Sequence, residues 1–141
     1  MTVKPIFETI KEIKENIENL SCDDLEKEMQ NPDKPLVVDI REMQERVDSG
    51  AIPDSVHAPR GMLEFWADPN SPYYRKQFKP DKRVVLYCAG GARSALATKA
   101  LLDMGYQNVA HLDPGFVGWK KEKRPVEEMA SKSRWIRRIL K

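Results

Sequence analysis

The sequence predicts an α/β domain built on a parallel sheet, and three observations carry that prediction. The runs Leu36-Val37-Val38-Asp39-Ile40 and Arg83-Val84-Val85-Leu86-Tyr87 are apolar and β-branched almost throughout, as strands buried on both faces are. Segments of helical periodicity alternate with such runs along the chain. Asp39 and Cys88 stand at the C-terminal ends of the two runs, the edge at which open α/β sheets bind ligands.

From the N-terminus, Ile6, Ile10, Ile13, Ile17 and Leu20 recur every three or four residues among Lys and Glu, which predicts an amphipathic helix over residues 4–20 opening near Pro5. Ser21 with Asp24 three residues on has the form of a capping box, and Leu25 and Met29 give the helix behind it an apolar face. Asn31-Pro32-Asp33 ends it, and the Leu36–Ile40 strand follows. Residues 41–48 turn helical again, with Gly50 at a C′ position. Ile52 to Pro59 holds a shorter strand around Val56. Residues 61–80, rich in aromatics and prolines, predict short helices in a long excursion around the body of the fold. After the Arg83–Tyr87 strand and the loop from Cys88, a helix carries Ala95, Leu96, Ala100, Leu101 and Met104 and stops at Gly105. Val109–Leu112 is a further strand, and Phe116–Lys121 a further helix.

A chain of 141 residues is the size of one domain and buries enough surface to fold without a disulfide or metal staple. Cys22 and Cys88 lie far apart with no CxxC, and two histidines are too few to complete a zinc site with them. No metal or organic cofactor is expected, and the cysteine usage suits a reducing, cytoplasmic setting. No apolar run reaches membrane-span length, and residues 1–20 are too charged for a signal peptide. The net charge of +2 is uneven: residues 119–141 carry +6 and the rest −4. Val126, Met129, Trp135, Ile136, Ile139 and Leu140 give that end one apolar side beside a basic one. It reads as a helix docked on the domain, against the N-terminal helix, or as a surface for an acidic partner or anionic lipid. No nucleic-acid motif is present.

The chemistry is concentrated in Cys88-Ala89-Gly90-Gly91-Ala92-Arg93-Ser94. Cys88 is the first residue past a strand, and a small-residue loop leads from it into a helix. Backbone N–H groups of such a loop, with the positive end of the helix, make a cradle for an anion and favour the thiolate; Arg93 adds charge. Glycine allows the loop to close tightly. The plainer reading is a small buried cysteine in a glycine turn. Ser94 is expected to cap the helix and support the loop. His57 and His111 lack the local spacing of a catalytic group and read as surface or satisfied core residues. Cys22, beside Asp23 and Asp24, reads as inert because their charge disfavours a thiolate.

These residues resemble the rhodanese (sulfurtransferase) family. The Cys88–Ser94 string looks like its active-site loop. Asp39-Ile40-Arg41, then Glu45, Gly50, Ile52-Pro53-Asp54-Ser55-Val56-His57 and Pro59-Arg60, resemble its upstream signature, and Gly105-Tyr106, Val109, Leu112, Gly115, Trp119 and Pro125 its downstream one. The resemblance implies a three-layer fold with a mainly parallel, five-stranded sheet flanked by helices. Residues 1–20 are then an N-terminal amphipathic helix, 21–126 the rhodanese-like domain and 127–141 a basic amphipathic C-terminal segment. It implies that Cys88 takes a sulfane sulfur from a donor such as thiosulfate, becomes a persulfide and passes the sulfur to cyanide or a thiol. Ala89, Gly90, Gly91, Ala92, Arg93, Ser94 and Arg60 would bind substrate, with Asp39 and Arg41 as structural support. The alternatives are a non-catalytic binding module and a persulfide carrier that exchanges sulfur with a partner protein. Related phosphatases use C-x5-R; the C-x4-R spacing here makes a smaller cradle, matched to a single sulfur. Asp113-Pro114 departs from the family's usual Gly-Gly, and its carboxylate either repels an anionic donor or caps the helix at Gly115.

Overall fold

The computed structural model describes residues 2–129. Helix α1 spans Ile6–Lys14, strand β1 Glu18–Leu20, α2 Cys22–Met29, β2 Leu36–Asp39, α3 Met43–Ser49 and β3 Val56–His57. A 3-10 turn at Arg60–Met62 leads into α4 (Leu63–Ala67); then come β4 (Val84–Tyr87), α5 (Ala92–Met104), β5 (Val109–Leu112) and α6 (Gly115–Lys121). The five strands form one sheet in the order β1-β5-β4-β2-β3, with every neighbouring pair parallel. The sheet is thus wholly parallel, where the family resemblance implied a mainly parallel one.

Both faces of the sheet are covered, which is why β2 and β4 are apolar on both sides. Val38, Leu86 and Val84 pack with Leu63, Phe78, Ala97 and Leu101 on one face. Val37, Val85 and Ala110 pack with Leu25, Ile52, Phe116 and Trp119 on the other. The capping box is formed: Asp24 N–H donates to Ser21 Oγ at 3.1 Å, and Ser21 N–H to the Asp24 carboxylate. Gly50 and Gly105 end their helices with φ of 89° and 110°.

The N-terminal helix is shorter than its periodicity predicts. It stops at Lys14, and Glu18–Leu20, assigned above to the helix, form the edge strand β1 beside β5. Asn19 drives the change of direction by donating from Nδ2 to the carbonyls of Lys14 and Ile17 at 2.9 and 3.1 Å. Leu20 still faces inward, but into the core beneath β5 rather than along a helix face. Ile10 and Ile13 seat α1 against Ala95 of α5. The described chain closes with Glu127 paired antiparallel to Ala51, Ala51 N–H to Glu127 O at 2.9 Å and the reverse bond at 2.8 Å. The basic amphipathic helix predicted for the C-terminal end falls mostly on residues 130–141, outside the described residues.

Candidate active site

β4 ends at Tyr87 in the middle of the sheet, and the chain turns through Cys88–Gly91 into α5. Cys88 is 1% exposed, so its sulfur lies at the bottom of the loop. The N–H groups of Gly91 and Ser94 donate to Sγ at 3.2 and 3.3 Å. Ser94 occupies the first turn of α5, whose N–H groups have no partner within the helix, and here they serve the sulfur. Gly91 has φ +90°, and a Cβ on it would sit 2.1 Å from the Asp113 carbonyl oxygen. A Cβ on Gly115 would meet the Ala89 carbonyl oxygen at 2.3 Å. The loop after β4 and the loop after β5 are therefore wedged together, and both contacts require glycine. Phe116 and Val117 N–H complete the joint by donating to the carbonyls of Cys88 and Ala89 at 2.8 and 3.0 Å.

Ser94 does not cap α5. The N-cap is Gly91, and the helix starts at Ala92, inside the predicted loop. The Ser94 hydroxyl lies 3.4 Å from Cys88 Sγ and 2.8 Å from His111 Nδ1. His111, on β5, is fully buried, and its Nε2 is 2.7 Å from Asn19 Oδ1 on β1. It is a satisfied core residue, and it is also linked to the candidate nucleophile through one hydroxyl. Burial pushes it down from 6.5 to about 4, with Lys14 adding to the fall and Asp113 opposing it, so the imidazole is neutral near pH 7.

Arg93 directs its hydrogen bonds to Glu45 rather than to the sulfur, although its charge and that of Cys88 still interact. It forms a two-pronged bond with Glu45 of α3, both contacts 2.9 Å. That pairing takes Glu45 down from 4.5 to about 2, the Arg93 hydrogen bonds outweighing partial burial. Arg60 is paired with Glu64 one turn on. Asp39 and Arg41 form a buried ion pair at the end of β2. Buried Asp39 accepts from Arg41 N–H and Nε at 3.0 Å, from Arg41 Nη2 at 2.9 Å and from Arg46 Nη1 at 3.0 Å. Arg41 also donates to the Gly50 carbonyl at 2.7 Å and lies over the Phe116 ring. Arg46 has no sequence signal, because a charged residue on a helix reads as solvated; it reaches Ser55 O at 2.8 Å in the core.

Asp113 caps nothing: the residue before α6 is Pro114, and no side chain bonds the helix start. Its carboxylate pairs instead with Lys14 of α1 at 2.8 Å, which offsets the repulsion it would exert on an anionic donor. Cys22 is buried and pushed up from 9.0 to about 11. The thiolate is disfavoured by burial and then by Glu122, not by the neighbouring aspartates. Beside the Cys88 loop opens a cavity of about 560 Å³, lined by Ala89, Glu45, Phe116, Val117 and Lys120 among others. Among the described residues no cluster of side chains is suited to a metal ion, and no helix is long and apolar enough to cross a membrane.

A wholly parallel, five-stranded sheet covered on both faces, with a thiol seated in a loop-and-helix cradle at its C-terminal edge, defines the class of α/β domain. Residues 21–122 match the Rhodanese-like domain, and the chain belongs to that family. It is 28% identical over 110 residues to a sulfurtransferase of Allochromatium vinosum, an alignment that covers 78% of this chain and 94% of that one. Among solved structures it is similar to a protein of unknown function from Rhodopseudomonas palustris, described as a possible tyrosine phosphatase. That likeness has a TM-score of 0.82 and 43% identity, over 90% of this chain and 97% of that one. It is also similar to the homodimeric polysulfide-sulfur transferase of Wolinella succinogenes, with TM-score 0.67, 31% identity and 84% of each chain covered. Residues 1–20, with α1, Lys14 and Asn19, precede the matched region.

Proposed function

We propose that the chain is a sulfurtransferase that works through a persulfide on Cys88. The observation that carries this reading is the pair of N–H donors, from Gly91 and Ser94, aimed at a single sulfur. Such donors stabilise an anion at that point, first the attacking thiolate and then the persulfide that replaces it. Cys88 attacks the outer sulfur of a donor such as thiosulfate; the S–S bond within the donor breaks and its electron pair leaves with sulfite. A thiophilic acceptor, cyanide or a thiol, then removes the outer sulfur and restores Cys88. A small donor, an acceptor of either kind, or a partner protein exchanging sulfur in a relay all use the same two steps. The side chains named above as substrate-binding take unequal parts: Ala89 to Ala92 shape the cradle, whereas Arg93 and Arg60 have their charge already engaged by Glu45 and Glu64.

That engagement also weighs against a phosphatase. Phosphoryl transfer from a cysteine loop needs a guanidinium to meet the phosphate oxygens, and Arg93 is held by Glu45. Intact-mass measurement after incubation with thiosulfate or a small-molecule persulfide tests the proposal. Cys88 should gain the mass of one sulfur atom, lose it on adding cyanide, and gain nothing in Cys88→Ser. A wild-type protein that takes sulfur from neither donor would overturn transfer and leave the binding-module reading.

A further inference from the structure

His111 is connected to Cys88 by a chain of hydrogen bonds whose direction can be worked out atom by atom. Asn19 Nδ2 donates to two backbone carbonyls, those of Lys14 and Ile17, so its Oδ1 is the atom turned to His111. An amide oxygen only accepts; His111 Nε2 therefore carries the hydrogen, 2.7 Å away. Nδ1 of the neutral ring is then bare and accepts the Ser94 hydroxyl hydrogen at 2.8 Å. Ser94 Oγ, its hydrogen committed, is left to accept from the Cys88 thiol at 3.4 Å. Every donor in the line points from the sulfur toward the imidazole, and the last link is supplied by β1.

We propose that His111 receives the Cys88 proton through Ser94 as the sulfur attacks, and that the segment preceding the family-matched region completes this relay by fixing the imidazole with Asn19. The inference rests on the persulfide reading above. The thiol proton passes to Ser94 Oγ while the Ser94 hydroxyl proton passes to His111 Nδ1. The Sγ electron pair forms the bond to the donor's outer sulfur, and the bond between that sulfur and the leaving group X breaks with its pair on X. The proton then returns by the same path, Ser94 Oγ giving its hydrogen to X as His111 Nδ1 gives its own back to Ser94, so that Cys88–SH + X–S⁻ gives Cys88–S–S⁻ + X–H. While the imidazolium lasts, Ser94 Oγ–H points at the sulfur side and joins the N–H groups of Gly91 and Ser94 there.

The surroundings suit a proton that arrives and leaves quickly. The charged or titratable groups facing His111 among the described residues are Cys88 through Ser94, Lys14 from α1 and Asp113 from the next loop, whose Oδ1 is 3.9 Å from Nε2. From β1 and α5 it meets the neutral Asn19 and Ser94, and from β4 its register partner is Leu86. Burial keeps the ring neutral at rest, so Nδ1 is open; the thiolate formed in the same step, with Asp113, favours the imidazolium while it lasts. His111 is a positioning residue and proton acceptor that does not touch the substrate.

The test reads Cys88 itself, independently of sulfur transfer: the rate of its alkylation by iodoacetamide against pH, located at Cys88 by peptide mass. His111→Asn keeps a hydrogen-bond acceptor for Ser94 but takes no proton near neutrality. It should slow alkylation near pH 7 about tenfold and move the profile up by about one unit. Asn19→Asp, at an exposed position, trades the two Nδ2 bonds for a charged acceptor on Nε2; in variants whose circular dichroism matches wild type it should move the profile down with faster alkylation. If His111→Asn does not fold, Asn19→Asp decides alone. A profile unchanged in a folded variant, or displaced in the opposite sense, overturns the relay. Shifted profiles in a protein that never forms a persulfide would instead sustain the relay and sink the transfer.

Discussion

A fully buried histidine that is neutral in the fold makes stability depend on pH in a window of its own. His111 has a folded value of about 4 against 6.5 in an ordinary setting. Its folded value is depressed, so between the two the unfolded chain binds the extra proton and the native chain does not. The stability due to the neutral ring is then whole above about pH 6.5 and lost as pH falls toward 4. Going from pH 7 to about 4.5, that difference integrates to roughly 2 kcal/mol. Glu45, held at about 2, gives up its own contribution only below its ordinary 4.5 and leaves the window nearly clear. Urea unfolding of wild type and His111→Asn at the two pH values gives the difference directly. The wild type should lose about 2 kcal/mol more than the variant on acidification. Equal losses in the two proteins would refute the argument, since they would place the proton uptake elsewhere.

The Asp39 cluster supplies another expectation. Asp39→Asn leaves two buried guanidinium groups facing a neutral amide and should cost roughly 3–5 kcal/mol by urea unfolding, whereas a surface change such as Asp33→Asn should cost almost nothing. Gly91→Ala puts a Cβ against the Asp113 carbonyl at a positive φ, with a backbone cost of about 1–2 kcal/mol before the clash. The two loops should part, with a lowered melting temperature and a changed Cys88 alkylation rate; unaltered values of both would refute the wedge.

Much of this was legible because the signals are local. β2, three apolar residues ending on Asp39, and the wholly buried β4 lie in the middle of the sheet, and the cradle occupies seven consecutive positions, Cys88 to Ser94. What the sequence hid is what the sheet brings together. β1 is three residues long with only Leu20 buried, too short to alternate, and its isoleucine-spaced approach imitates a continuing helix. His111 looks isolated because its partners are 17 positions before it at Ser94 and 92 before it at Asn19. Arg93 looks like a charge available to the cradle because its partner Glu45 lies 48 positions upstream on another helix. Asp39 and Arg41 are legible as a pair, two residues apart at a strand end, but Arg46 as the third member of their buried cluster requires the fold.

The order of strands across the sheet also dictates when the site can exist during synthesis. β1 is made first, yet its pairing partner is β5, made last, and the Gly91 loop finds its wedge only in the turn that follows β5. A chain growing from its N-terminus must therefore carry α1 and an unpaired edge strand until some ninety further residues have emerged. Closing contacts over so long a span is slow. The same topology withholds the assembled thiol cradle until β5 docks, so that a nascent or truncated chain would not hold the Cys88 sulfur in its final setting.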